Sequence, residues 1–182
     1  MKLLICSDIH GDIECLNKTL EIFNSDGYDR LVILGDILYH GPRNDLPANY
    51  APKQVIEALN AISEKIIAIR GNCDTEVDQM VLNFPILSDY AYLFLDGISV
   101  YLTHGHKYNP TTPPPLKSGD VMLYGHTHVL KIEEYESNVF INPGSITLPK
   151  ENNPKSYMCY EGGKFTIFDF SGNKIKQIDL NS

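Results

Sequence analysis

Five stretches of this chain end an apolar run on side chains that can bind cations. Leu3-Leu4-Ile5-Cys6 leads to Asp8 and His10. Leu31-Val32-Ile33-Leu34-Gly35 stops on Asp36. Ile66-Ile67-Ala68-Ile69 leads into Arg70-Gly71-Asn72-Cys73-Asp74. Ile98-Ser99-Val100-Tyr101-Leu102 leads to His104 and His106, and Val121-Met122-Leu123-Tyr124 to Gly125-His126-Thr127-His128. Two Asp, one Asn and four His are too many donors for one four-coordinate ion and suit two. A carboxylate, with its two oxygens, can bridge a pair of ions held roughly 3.5–4 Å apart. Asp36, on an inner strand, is the natural bridge. Each piece also has a plain explanation. An Asp after a strand often caps the next helix, an Asn after Gly often sits in a turn, and a pair of His can be surface decoration. The case rests on the coincidence of all five.

The elements that must position these residues are legible as alternating apolar patterns. Leu3 to Cys6 reads as a buried strand. Asp12 is a plausible N-cap for an amphipathic helix over 12–24, marked by Ile13, Leu16, Leu20 and Phe23. Residues 31–34 and 66–69 read as further buried strands. Between them Val55, Ile56, Leu59 and Ile62 mark a second helix, after a long loop containing His40-Gly41-Pro42-Arg43. Val77, Met80, Val81 and Phe84 suggest a short third helix. From there strands dominate. Residues 92–95 and 98–102 flank an Asp96-Gly97 turn, residues 121–124 form another run, and 139–141, 157–160, 165–170 and 175–178 look like a meander. The Pro-rich stretch around Pro110 and Pro113 to Pro115 should be irregular, and Asn142-Pro143-Gly144-Ser145 should be a structural turn. This order, βαβαβ and then mostly strands, predicts an α/β fold in a single domain over 1–182. The architecture expected is a two-sheet αββα sandwich with helices on the outer faces. In such sheets the strand ends converge on one rim. Residues two apart in extended backbone point the same way, so Asp8 with His10 and His126 with His128 should each present two donors together.

Composition narrows the functions available. The formal charge of −8 disfavours non-specific binding to nucleic acid or to an anionic membrane. No run is long enough to span a bilayer, and Met1-Lys2 passes straight into a strand without a signal-peptide pattern. The four Cys have no C-x-x-C spacing and are expected to be reduced thiols of a cytoplasmic protein.

Asp8-x-His10, Gly35-Asp36, Gly71-Asn72, His104-Gly105 and Gly125-His126-x-His128 occur in the order and approximate spacing of the calcineurin-like metallophosphoesterases. The resemblance covers nearly the whole chain. It is closer to the small single-domain bacterial phosphodiesterases, through Leu38-Tyr39-His40-Gly41-Pro42-Arg43-Asn44 and Gly71-Asn72-Cys73-Asp74. It implies two divalent cations, one held by Asp8, His10 and His128, the other by Asn72, His104 and His126, with Asp36 bridging. Mn²⁺ is the first expectation, and Fe²⁺ and Zn²⁺ also suit donors of this kind. It implies hydrolysis of small phosphodiesters by a hydroxide bridging the ions. A retromer subunit keeps the fold with an altered site, so a non-catalytic scaffold is one alternative, and a phosphomonoesterase is another. Self-association is compatible with the sequence. His106 is expected either beside the ligands or exposed on a loop. Arg43 could grip phosphate oxygens bidentately or form a surface ion pair. Many members of the family have His where this chain has Cys73, and a thiol with a pKa near 8.5 is the poorer proton donor. Good leaving groups should therefore turn over best. Asp74 is expected to cap the third helix, or else to orient residue 73.

Overall fold

The computed structural model describes residues 1–181. A first sheet has the order β11-β10-β9-β1-β2-β3. Its strands are β1 (Lys2–Cys6), β2 (Arg30–Ile33), β3 (Ile66–Ala68), β9 (Ser156–Glu161), β10 (Lys164–Asp169) and β11 (Lys174–Asp179). A second sheet has the order β4-β5-β6-β8-β7, built from β4 (Tyr90–Leu95), β5 (Ile98–Thr103), β6 (Val121–Leu123), β7 (Lys131–Tyr135) and β8 (Asn138–Asn142). Strands β1, β2 and β3 run parallel, as do β5, β6 and β8. The ligand-type residues lie in the loops that leave the carboxyl ends of β1, β2, β3, β5 and β6.

The parallel strands are apolar on both faces because both faces are covered. Leu3, Ile5, Val32 and Leu34 meet Val100, Leu102, Val121, Leu123 and Ile141 between the sheets. On the other side of the first sheet, Leu4, Cys6, Leu31 and Ile33 pack on α1 (Ile13–Ser25) and α2 (Pro52–Asn60) through Leu16, Phe23, Val55 and Leu59. The α/β sandwich is the one expected, but its helices lie on one side. The outer face of the second sheet, with Tyr101, Met122 and Phe140, is covered instead by Tyr108 and Leu116 of the Pro-rich segment.

Asp12 caps α1 as expected, accepting from the Cys15 amide at 2.9 Å. Four expectations are corrected. First, β3 is a half-buried edge strand rather than a fully buried one. Second, the third helix, α3, is only Glu76–Gln79. The Gln79 amide nitrogen donates to the carbonyls of Leu82 and Phe84, and the chain leaves the helix so that Leu82, Phe84 and Ile86 can enter the core. Third, only β9, β10 and β11 form a meander. Strand β8 is inserted parallel to β6, and the chain then crosses to pair β9 antiparallel with β1. Fourth, β7 was not expected: Lys-Ile-Glu-Glu-Tyr is too polar to read as a strand and is tolerated at a sheet edge.

Candidate metal centre

The two aspartates are deployed alike. Each uses one carboxylate oxygen to hold the protein and turns the other towards imidazoles. Asp8 Oδ2 accepts from the Ser7 hydroxyl at 2.6 Å and from the His126 amide at 3.2 Å. Its Oδ1 is buried with no hydrogen-bond partner. Asp36 Oδ1 accepts from the Cys73 amide at 2.8 Å, while its Oδ2 lies 3.8 Å from His10 Nε2 and 3.4 Å from His104 Nε2. Asp8 Oδ1 lies 3.2 Å from His128 Nε2 and 3.7 Å from His10 Nε2.

Three imidazoles are fixed in the tautomer a metal needs. Nδ1 of His10, His104 and His128 donates to the carbonyls of Tyr39, Leu34 and Leu148 at 2.7, 2.6 and 2.6 Å. A carbonyl can only accept, so the proton sits on Nδ1 and the Nε2 lone pair faces inward. His10 Nε2 and His128 Nε2 are 3.3 Å apart, and Asn72 Oδ1 is 3.1 Å from His104 Nε2. Ligands about 2.1 Å from an ion sit roughly 3.0–3.4 Å from one another. The spacings therefore suit cations, and an orphaned carboxylate oxygen facing imidazole lone pairs is hard to explain without one. His126 is half-buried, its ring 5.2 Å from that of His104.

The backbone that achieves this is not extended. Asp8, His10, Asp36, His126 and His128 all have positive φ, between 47° and 67°. The paired donors are thus turned together by left-handed residues, and the alternation expected of extended chain is not what aligns them. Such conformations cost non-glycine residues about 1–3 kcal/mol each and cluster at functional sites. Two glycines let the loops close in: a Cβ on Gly71 would strike Asp36, and one on Gly125 would strike Ser7.

The electrostatics follow from burying carboxylates without Lys or Arg beside them. Burial alone would raise the Asp8 carboxyl, but His128, His104 and His10 hold it well below the usual range. Burial would lower His104, yet Asp36 and Asp8 push it up to about 9, so a proton competes with a cation for its Nε2. Burial, and then His104 and His126, push His106 down to about 4. His106 is half-buried, its ring 5.4 Å from His104, and is not the exposed loop His of the alternative reading.

Asp74 does not cap α3. Thr75 does, in a capping box with Asp78. The Asp74 carboxylate instead accepts from the amides of Asp36, Ile37 and Gly71 at 2.9, 2.8 and 2.7 Å, tying the β2 loop to the β3 loop. Burial pushes it up to about 6. Asn142-Pro143-Gly144-Ser145 is likewise more than a turn. Asn142 Nδ2 donates to the Gly125 carbonyl, and Ser145 Oγ to the Asp8 carbonyl.

Arg43 makes no ion pair among the described residues. It lines a cavity of about 350 Å³ over the rim, with Asp36, Asn72, Cys73, His126 and Lys150. Sequence reasoning missed Lys150, a second cation on that wall. Its neighbour Leu148 holds His128, but nothing in the sequence marks it. Cys73 Sγ lies within 4.8 Å of donor atoms of His10 and Asp36, and burial and the Asp36 charge push its thiol up.

A family model described as the calcineurin-like phosphoesterase superfamily domain matches residues 1–163. The chain belongs to the calcineurin-like phosphoesterase superfamily. Phosphodiesterase YfcE of Escherichia coli is 45% identical over 183 residues, covering 100% of this chain and 99% of that protein. Phosphodiesterase MJ0936 of Methanocaldococcus jannaschii is 30% identical over 152 residues, 79% of this chain and 83% of that protein. The solved structure of the E. coli phosphoesterase YfcE superposes with a TM-score of 0.97 at 44% identity, covering 100% of both chains. Members of this superfamily take divalent metals, and the superfamily fold is the two-sheet α/β sandwich described above. Vps29 of Chaetomium thermophilum, at 16% identity and a TM-score of 0.64, shares that fold.

Proposed function

We propose that this chain is a phosphodiesterase that works with two divalent cations on the rim of the sandwich, Mn²⁺ first among them. The observation that carries the reading is the pair of carboxylate oxygens, the unpartnered Asp8 Oδ1 and Asp36 Oδ2, each facing inward-pointing imidazole nitrogens. Asp8, His10 and His128 would hold one ion, and Asn72, His104 and His126 the other. Asp36 would serve both; its Oδ2 faces His10 and His104, while its Oδ1 accepts from the Cys73 amide. The 45% identity of a phosphodiesterase over the full length supports the substrate class.

When bound, the ions supply positive charge that makes water acidic near neutral pH and steadies the charge on phosphoryl oxygens. The chain's own residues do the rest. The carbonyls of Tyr39, Leu34 and Leu148 keep three imidazoles aimed. Arg43 and Lys150 offer charge to the non-bridging oxygens of a diester in the cavity. Cys73, with its thiol made less acidic by burial, gives little help in protonating a leaving group, so aryl esters should be the better substrates.

Metal analysis of the purified protein, with hydrolysis of bis-aryl against mono-aryl phosphate in Mn²⁺, tests this. About two ions per chain and faster diester turnover are expected. Equal or faster monoester turnover would make it a monoesterase, and no turnover at all would favour a scaffold.

A further inference from the structure

A second cleft, of about 380 Å³, opens on the other side of Cys73. Leu38, Tyr50, Ile56, Val77 and Val81 form its walls, and Cys73 is common to both cavities. Tyr39 lines it too, so the loop whose carbonyl holds His10 is also a wall of the cleft. The partition is thin. Gly41 contributes no side chain, and a Cβ there would come within 3.1 Å of the Cys73 sulfur. Lys53, Thr75 and Asp78 also line it. Thr75 and Asp78 are engaged with each other in the capping box, leaving Lys53 as the other charged residue of the lining. Val77 is 69% exposed and Val81 43% exposed. Leu38, Ile56, Val77 and Val81 make this lining mostly apolar, beside a cavity lined by Arg43, Lys150 and Asp36. The neighbouring cavity takes phosphate in the proposed function. A phosphodiester carries two ester groups, and one would lie beside the shared thiol.

Resting on that reading, we infer that the cleft receives an apolar ester group of the substrate, aryl or alkyl, and that the enzyme selects diesters carrying one. An apolar cavity of about 150 Å³ is enough for a benzene ring, so this cleft has room for a substituted ring or a short chain.

Two substrate series separate the cleft from leaving-group chemistry. The first is methyl 4-alkylphenyl phosphates, methyl to butyl, whose phenols have nearly equal acidity. The second is alkyl 4-nitrophenyl phosphates, methyl to butyl, in which the leaving group is constant. Each methylene withdrawn from water strengthens binding by up to about fourfold. Three methylenes should raise kcat/KM by about tenfold or more in one series, which identifies the ester group that enters the cleft. Val77→Asp and Val81→Asp, both at exposed positions, should each bring the butyl-to-methyl ratio back towards one, and Val77→Leu should keep or raise it. A ratio below about twofold in both series for the native protein would overturn the inference while leaving the phosphodiesterase reading intact. So would an unchanged ratio in both Asp variants, including the case where they alter the oligomeric state and reveal a contact between copies. Failure to hydrolyse any diester would overturn both.

Discussion

On one side of the rim Asp8, His10 and His128 are buried, and both imidazoles are clamped by backbone carbonyls. On the other side Asn72 is exposed and His126 half-buried, and only the buried His104 is clamped in the same way. The closed side is continuous with the core. Ser145 holds the Asp8 carbonyl, and Thr147 the Ile9 carbonyl, from the crossover that joins the two sheets. The open side faces the cavity lined by Arg43 and Lys150, which the closed side reaches through His128. A site of this kind divides its labour. The closed half is fixed by folding, and the open half meets whatever enters. Substitutions on the two sides should therefore fail differently.

The largest effect is expected where the sides join. Asp36→Asn removes the charge both ions would share, and kcat/KM should fall by about a thousandfold, equivalent to about 4 kcal/mol of lost stabilisation. Metal content should fall with it. A variant that keeps both ions and most of its activity would remove Asp36 from the bridging role.

The sides themselves separate next. His128→Ala opens the closed half and should cost metal as well as rate, with bound Mn²⁺ dropping to about one ion or fewer. His126→Ala, on the open half, should lower kcat while more metal survives dialysis. Metal content and kinetics measured together decide the matter. Equal metal loss in the two variants would erase the distinction between the sides.

Both sides of the rim were legible in the sequence. Asp8-x-His10 and His126-x-His128 stand directly after apolar strands, and parallel strands buried on both faces announce their ends plainly. What could not be read was the means of alignment. Histidine and aspartate enter left-handed backbone more readily than most residues but still uncommonly, so alternation in extended chain was the natural but incorrect expectation. The order of the later strands was hidden for a related reason. Tyr157 to Tyr160 and Val139 to Ile141 are equally apolar, and only tertiary pairing decides which sheet each enters. Asp74 was misread because Thr75, one residue on, is as good a cap, and long-range amides claimed the carboxylate.

Cys73 lies at the open side, with its amide on Asp36. Cys73→His should raise turnover of alkyl phosphodiesters by about tenfold and change aryl diesters by less than about threefold, because only poor leaving groups need the proton. A uniform change across both classes would locate the effect in the geometry of Asp36 instead.

The smallest effects belong to the two cations on the cavity wall. Arg43 and Lys150 are both exposed, so each contact with a phosphate oxygen competes with water and salt. Arg43→Ala should raise KM for a diester by about fivefold, or about 1 kcal/mol, with kcat nearly unchanged. Lys150→Ala should act in the same direction and less, since an ammonium cannot make the paired contact of a guanidinium. Raising the salt concentration should shrink both differences, because screening weakens charges exposed to solvent more than buried ones. The ion held by the closed side should be indifferent to that change, so KM measured at two ionic strengths tells wall from rim. A KM unaffected by either substitution at low salt would leave substrate binding to the rim alone.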